Sequence, residues 1–274
     1  MSCFFPRDLY GVIGWPLAQT LSPLIHNTAF QDLGIPGIYL PFEVAPENLE
    51  KFLLAMPLYR MKGCSVTIPH KIAVLPYLDS ISEKAALAGA VNTLFFKDSE
   101  FAGDNTDVDG FLAPLNNIPL DTMNVLLLGA GGAAHAVAAG LKFSGCHQTR
   151  VCTPGNKSHF ALAERFGFTP INWDDRYKWP AQLVINATPM GMKGKLVKEC
   201  PYDFSLVPQE NGIAYDLVYN PKETLFLKSA SSAGRKCIGG AEMFYGQGNA
   251  QFHIWTGHAL PEASRKALEK ALAN

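Results

Sequence analysis

Apolar runs alternate with amphipathic stretches along the chain, and the two periods predict strands and helices in turn. Leu9 to Ile13 reads as a first strand. Ser22-Pro23 opens a helix, since serine is a good N-cap and proline is tolerated at the first helical position. Ile25, Ala29 and Leu33 give that helix an apolar side. Pro46 opens another, with Leu49, Phe52, Leu53 and Met56 at helical spacing. Cys64 to Ile68 is a short strand, and Pro69-His70-Lys71 begins the next helix. Ser82 caps a helix that ends at Gly89. Val91 to Phe96 is a strand, followed by the polar turn Lys97-Asp98-Ser99-Glu100. More strands are expected near Arg150–Thr153, Leu183–Ala187 and Ala214–Val218, and the chain from Gly240 onward is helical. This alternation predicts an α/β architecture.

The most informative segment lies near the middle. Val125 to Leu128 is a fully apolar strand that runs into Gly129-Ala130-Gly131-Gly132-Ala133-Ala134 and then a helix. Gly129 allows a tight turn, Gly131 lets backbone approach a diphosphate, and Ala134 is small enough for the helix to pack on the strand. The helix N-terminus offers free N–H groups to the anion. Strand and helix flank the turn correctly and two further βα units follow, so a dinucleotide site is favoured over a merely structural turn. Its position leaves a whole domain of chain in front. The expected division is a substrate-binding domain over residues 1–108, with C-terminal helices 240–274 packing back on it, and a doubly wound dinucleotide-binding domain over 109–239.

An acidic residue about 20 positions beyond such a turn usually holds the ribose hydroxyls of NAD. Here that strand leads into Thr153-Pro154-Gly155-Asn156-Lys157-Ser158, with no acid. A carboxylate would repel a 2′-phosphate, whereas Lys157, Asn156 and Ser158 could bind one, so NADP is favoured. Lys157 reads equally well as a solvated loop lysine.

Composition narrows the classes. The 274 residues carry a formal net charge of −1, with no basic stripe for nucleic acid. No apolar run is long enough to span a bilayer and the N-terminus lacks a signal-like apolar core, so a cytoplasmic protein is expected. The six cysteines form no C-x-x-C pair and are expected to be reduced thiols. The histidines show no metal spacing; His253 and His258 read as packing or surface residues, and no metal is expected.

In the front half, Thr20 and Ser22 beside a helix N-terminus could bind a carboxylate, though on the residues alone Ser22 as a simple helix cap is the preferred reading. Alternation places Ser65 and Thr67 on one face of a strand end. Lys71 follows in a first helical turn, where it opposes the helix dipole, which favours a functional role. Asn92-Thr93 and Asp104-Asn105-Thr106-Asp107 cluster polar groups at the ends of apolar strands, as turns often do.

Taken in order, G-V-I-G-W-P, L-S-P-L-I-H-N, S-V-T-I-P-H-K, A-G-A-V-N-T, G-D-N-T-D, G-A-G-G-A-A, I-N-A-T-P-M-G-M, Y-D-L-V-Y-N-P and G-G-A-E-M resemble the shikimate dehydrogenase family from end to end. The resemblance implies an N-terminal α/β substrate domain with a Rossmann-like partner. It also implies reversible NADP-linked reduction of 3-dehydroshikimate to shikimate, in the formation of chorismate and aromatic amino acids. It assigns Lys71 as the catalytic lysine and Asp107 as its partner carboxylate. Thr20 and Ser22 match the hydroxyls that bind the substrate carboxylate. Thr67, Asn92, Asp107 and Gln247 match residues that hold ring hydroxyls, and Tyr219 lies by the substrate. Glu83, Leu217, Gly240 and Met243 match positions near the cofactor, together with Gly129, Ala130, Gly131, Gly132, Ala133, Thr153 and Lys157.

Four departures stand out. Gln19-Thr20 replaces the usual His-Ser, Ser65 stands where asparagine is common, and His135 replaces a frequent arginine. Thr153-Pro154-Gly155 replaces the N-R-T whose arginine binds the 2′-phosphate, leaving Lys157 or Arg150 as substitutes. These departures keep open a quinate/shikimate dehydrogenase using NAD; a non-catalytic ligand sensor on the same fold is the alternative of another class. Monomer and homodimer both fit.

Overall fold

The computed structural model describes residues 6–17, 20–207 and 212–273. The chain forms two compact units, Met1–Thr106 with Gln247–Asn274 and Asp107–Gly246.

The first unit is built on a six-stranded mixed sheet. Its strands are β1 (Asp8–Gly14), β2 (Gly37–Glu43), β3 (Met61–Val66), β4 (Ser80–Ile81), β5 (Thr93–Lys97) and β6 (Glu100–Asp104), in the order β2-β1-β3-β5-β6-β4. β1 pairs in parallel with β2 and β3, whereas β5 runs antiparallel to both β3 and β6. Helices α1 (Ser22–Asp32), α2 (Leu49–Ala55), α3 (His70–Ala73) and α4 (Glu83–Ala88) belong to this unit. One apolar layer joins Ile13, Leu49, Leu53, Met56, Cys64, Val66, Val91 and Leu94, which the helical and strand periods place on facing sides.

The second unit holds β7 (Val125–Leu128), β8 (Thr149–Cys152), β9 (Thr169–Pro170), β10 (Leu183–Asn186), β11 (Ile213–Asp216) and β12 (Lys236–Ile238). Every pair is parallel and the order is β12-β11-β10-β7-β8-β9. This is the doubly wound order, with the strand sequence reversing beside β7. Its helices are α5 (Thr106–Leu112), α6 (Gly132–Phe143), α7 (His159–Phe166) and α8 (Leu225–Ser232). α9 (Gly240–Thr256) supplies residues to both units, and α10 (Glu262–Leu272) returns to the first, where the Ser264 hydroxyl donates to Ile25 O at 2.8 Å.

Several expectations are corrected. α1 is capped by Leu21, with no side-chain cap bond, so Ser22 is its first helical residue rather than its cap. Leu33 is half exposed, and His26 and Phe30 fill the buried side beside Ile25 and Ala29. β3 begins at Met61 because Met61 and Gly63 continue the ladder with β1; exposed Lys62 hides this in the sequence. β5 begins at Thr93 because the Val91 N–H leaves the sheet to bond Lys71 O at 2.8 Å. Ser82 does cap α4, accepting from Ala85 N at 3.1 Å, and Gly89 ends it at a φ of 67°. His253 and His258 are exposed, and the five described cysteines are free thiols. Among the described residues no helix is long and apolar enough to cross a membrane.

Candidate functional site

In the first unit, polar side chains collect where β1 and β3 end and β5 begins. Gly14 closes β1, and a Cβ there would lie 2.5 Å from Thr67 Cγ2, so the glycine makes room for Thr67. Thr67 is held by its N–H to Ile13 O at 2.9 Å. Lys71 sits half-buried on α3, next to His70, whose Nε2 meets Val44 O at 2.6 Å. Thr20 Oγ1 accepts from Ser22 N at 3.2 Å, which satisfies one N–H at the start of α1. Gln19 lies outside the described residues.

Asn92 is buried, and its Oδ1 accepts from Thr93 Oγ1 at 2.7 Å and from Thr106 N at 2.7 Å. The Thr106 N–H can only donate, so it fixes the amide with the oxygen inward. Glu83 is exposed at the start of α4. Gln247 is 9% exposed on α9.

In the second unit the glycine turn is shaped as its sequence demands. Gly129 has a φ of +112°, and a Cβ there would lie 2.7 Å from Ala187 C and O. Both the backbone angle and the close approach require glycine. Gly131 and Gly132 are exposed, and a Cβ on either would meet nothing within 4 Å. Gly131 caps α6 without a side-chain bond, while Ala130 and Ala133 flank the opening. Gly131 and Gly132 therefore leave room beside the N-terminus of α6, whose first N–H groups suit a diphosphate.

The neighbouring strand ends are braced. Asn186 Nδ2 donates to Asp216 Oδ1 at 2.9 Å, and Asp216 also accepts from Val218 N at 3.0 Å and Thr224 Oγ1 at 2.5 Å. Burial pushes the Asp216 carboxyl up to about 6 against these three donors. A Cβ on Gly240 would overlap Leu217 O, so α9 starts in close contact with that carbonyl. Met243 is half-buried on α9, and Tyr219 packs on Phe244 with ring centroids 5.5 Å apart.

The loop after β8 divides the candidates for a 2′-phosphate. Thr153 is turned inward, its Oγ1 2.9 Å from His159 Nδ1. The Arg150 guanidinium lies 3.6 Å above the Trp179 ring, so it is already engaged. Asn156 Oδ1 accepts from Trp173 N at 2.7 Å. Lys157 is exposed on the loop.

The family described as the shikimate dehydrogenase substrate binding domain matches residues 12–94. A shikimate dehydrogenase (NADP(+)) of Pelobacter propionicus is 46% identical over 267 residues, covering 97% of this chain and 96% of that protein. The chain belongs to the shikimate dehydrogenase family. A second member, from Oleidesulfovibrio alaskensis and of the same name, is 48% identical and covers 96% of this chain and 95% of its own. The solved Thermus thermophilus shikimate 5-dehydrogenase, in complex with NADP(H) and shikimate, superposes with a TM-score of 0.86 at 34% identity. It covers 97% of this chain and 100% of that one. Of the residues the resemblance assigns, the first unit carries Thr20, Ser22, Thr67, Lys71, Asn92 and Gln247, and the second carries Asp107, Tyr219 and the glycine turn.

Two buried residues lie beyond the reach of the sequence patterns. Tyr39 and Gln251 belong to the polar network behind Asn92. Gln251 lies four residues after Gln247 on one helix face, and that spacing is its one signal in the sequence. Among the described residues no group of three His, Cys, Asp or Glu side chains is placed to hold a metal ion.

Proposed function

We propose that this chain is an NADP-dependent shikimate dehydrogenase, reversibly reducing 3-dehydroshikimate to shikimate. The observation that carries this reading is the likeness, over 97% of the chain, to a relative of that name. The open glycine turn and α6 fit the diphosphate of a dinucleotide. Most residues assigned to the substrate belong to the first unit and most assigned to the nucleotide to the second, with Asp107 and Tyr219 of the second unit assigned to the substrate and Glu83 of the first to the cofactor.

When bound, the nicotinamide supplies the hydride. The ketone oxygen gains charge as its carbon is reduced, and a positioned donor must neutralise it. Lys71 is assigned that task, its ammonium donating a proton to the oxygen. Asp107 takes the role of the carboxylate that partners the lysine in the family. Thr20 and Ser22 bind the substrate carboxylate; the Ser22 hydroxyl does not cap α1 and meets the Tyr39 hydroxyl instead. Thr67, Asn92, Gln247 and Asp107 are assigned the ring hydroxyls, and Tyr219 is assigned to the substrate as well. Gly129 to Ala133 cradle the diphosphate, and Leu217, Gly240, Met243 and Glu83 adjoin the nicotinamide half. Lys157 is the residue assigned to the 2′-phosphate, since Arg150 is held by Trp179, and Thr153 shapes the loop from below. The small-molecule reaction and the free thiols support action in the cytoplasm. Consumption of NADPH with 3-dehydroshikimate, and appearance of shikimate by chromatography, tests the reading; no turnover with either nicotinamide cofactor would favour a ligand sensor.

A further inference from the structure

Gln251 is 1% exposed and sits inside a polar chain that crosses the first unit. Tyr39 O–H donates to Ser65 Oγ at 2.7 Å, and Ser65 donates to Gln251 Oε1 at 2.9 Å. The other end of the amide, Nε2, donates to Asn92 O at 3.2 Å and Thr93 Oγ1 at 3.1 Å. A backbone carbonyl can only accept, so Asn92 O fixes which way the Gln251 amide points. Because Thr93 Oγ1 accepts from Gln251, its own proton turns to Asn92 Oδ1. Thr106 N holds the same oxygen. Asn92 Oδ1 is thereby spent inside the protein, which leaves Nδ2 as the amide's outward group.

The inner end of the chain carries no charge. His26 stacks on Tyr39 with ring centroids 4.5 Å apart and faces the Gln251 side chain, which offsets part of the burial that pushes its pKa down to about 3. Ser22 lies beside the Tyr39 hydroxyl. The relay thus runs from the residue assigned to the substrate carboxylate to the residue assigned to a ring hydroxyl. The helix that carries Gln251 is pinned to the sheet one turn later, where Trp255 Nε1 donates to Leu94 O at 3.1 Å. Serine at position 65 suits the relay because a hydroxyl can accept from Tyr39 and donate to Gln251 at once.

We propose that Gln251 is a positioning residue for substrate recognition: through Asn92 O and Thr93 it holds Asn92 so that Nδ2 is presented as a donor to one ring hydroxyl. This rests on the dehydrogenase reading. The test compares wild type with Gln251→Leu and Gln251→Glu on shikimate, 4-deoxyshikimate and 5-deoxyshikimate. Gln251→Leu should raise KM for shikimate about tenfold, the worth of one well-aligned hydrogen bond, with KM for NADP+ within about twofold. That penalty should disappear on one of the two deoxy substrates. Gln251→Glu should show the larger KM near neutral pH, where its carboxylate faces Asn92 O, and recover as the pH falls and the acid can donate. An equal penalty on all three substrates, or a loss in kcat and NADP+ binding alike, would overturn the proposal and mark Gln251 as a packing residue. Failure of wild type to oxidise shikimate would instead overturn the dehydrogenase reading itself.

Discussion

Replacing Asp216 by asparagine should make the protein's stability respond differently to pH. The Asp216 carboxyl is 0% exposed and accepts three hydrogen bonds, yet burial still raises it from 3.8 to about 6. The charged form is therefore disfavoured in the folded state relative to the unfolded chain. The native protein keeps its proton longer, so this group favours folding below about pH 4 and loses that advantage as pH rises through 6. A rise from 3.8 to about 6 corresponds to about 3 kcal/mol. Asp216→Asn abolishes the titration but must turn one N–H toward a neighbour that also donates, at a pH-independent penalty of about 1–3 kcal/mol. The variant should thus be less stable than wild type at pH 4, and the gap should shrink by about 2 kcal/mol by pH 7, part of the total being already lost at pH 4. Urea unfolding of both proteins at pH 4, 5.5 and 7, compared as free-energy differences, measures this. A gap that stays constant or widens with pH would refute the assignment of a buried, proton-retaining carboxyl. The outcome bears on the nucleotide unit, since Asp216 and Asn186 brace the ends of β10 and β11.

Three further changes separate the parts of the site. Lys71→Ala should lower kcat about a hundredfold or more while KM for shikimate changes only a few-fold, as a proton donor to the transition state would; unchanged turnover would sink its catalytic role. Gly129→Ala places a Cβ 2.7 Å from Ala187 backbone at a φ of +112°, so KM for NADP+ should rise and the melting temperature fall, with KM for shikimate little altered. Lys157→Ala should weaken NADP+ about tenfold in KM and leave NAD+ unchanged; equal effects on both would remove Lys157 from the 2′-phosphate.

Sequence patterns reach furthest where one physical requirement governs several residues. The all-apolar run at β7, the glycines after it and small Ala134 at the start of α6 answer to one turn, and the doubly wound sheet follows from it. Ser82 and Gly89 mark the two ends of α4 because capping and a left-handed C-cap are local matters. β2 is harder to see because it is an edge strand carrying Pro41 and Gly37, residues that weaken any strand pattern. β6 is hidden because Asp98 and Ser99, at φ values of 48° and 76°, form a tight turn between two paired strands. In the site, Lys71 is expected because it follows Pro69 in a first helical turn, although α3 is a single turn in which Lys71 also belongs to the last turn, so the dipole argument for it falls away. Gln251 and Tyr39 are not expected, because a buried relay is assembled from elements far apart in the chain. Ser22 looks like a cap, but the helix begins one residue earlier than that role requires.

Whether this is an NADP-linked shikimate enzyme is decided by the steady-state kcat/KM for four pairings, shikimate or quinate with NADP+ or NAD+. Shikimate with NADP+ should exceed the other three, and quinate should turn over poorly with both cofactors. Preferred turnover of quinate with NAD+ would overturn both the substrate and the cofactor assignment.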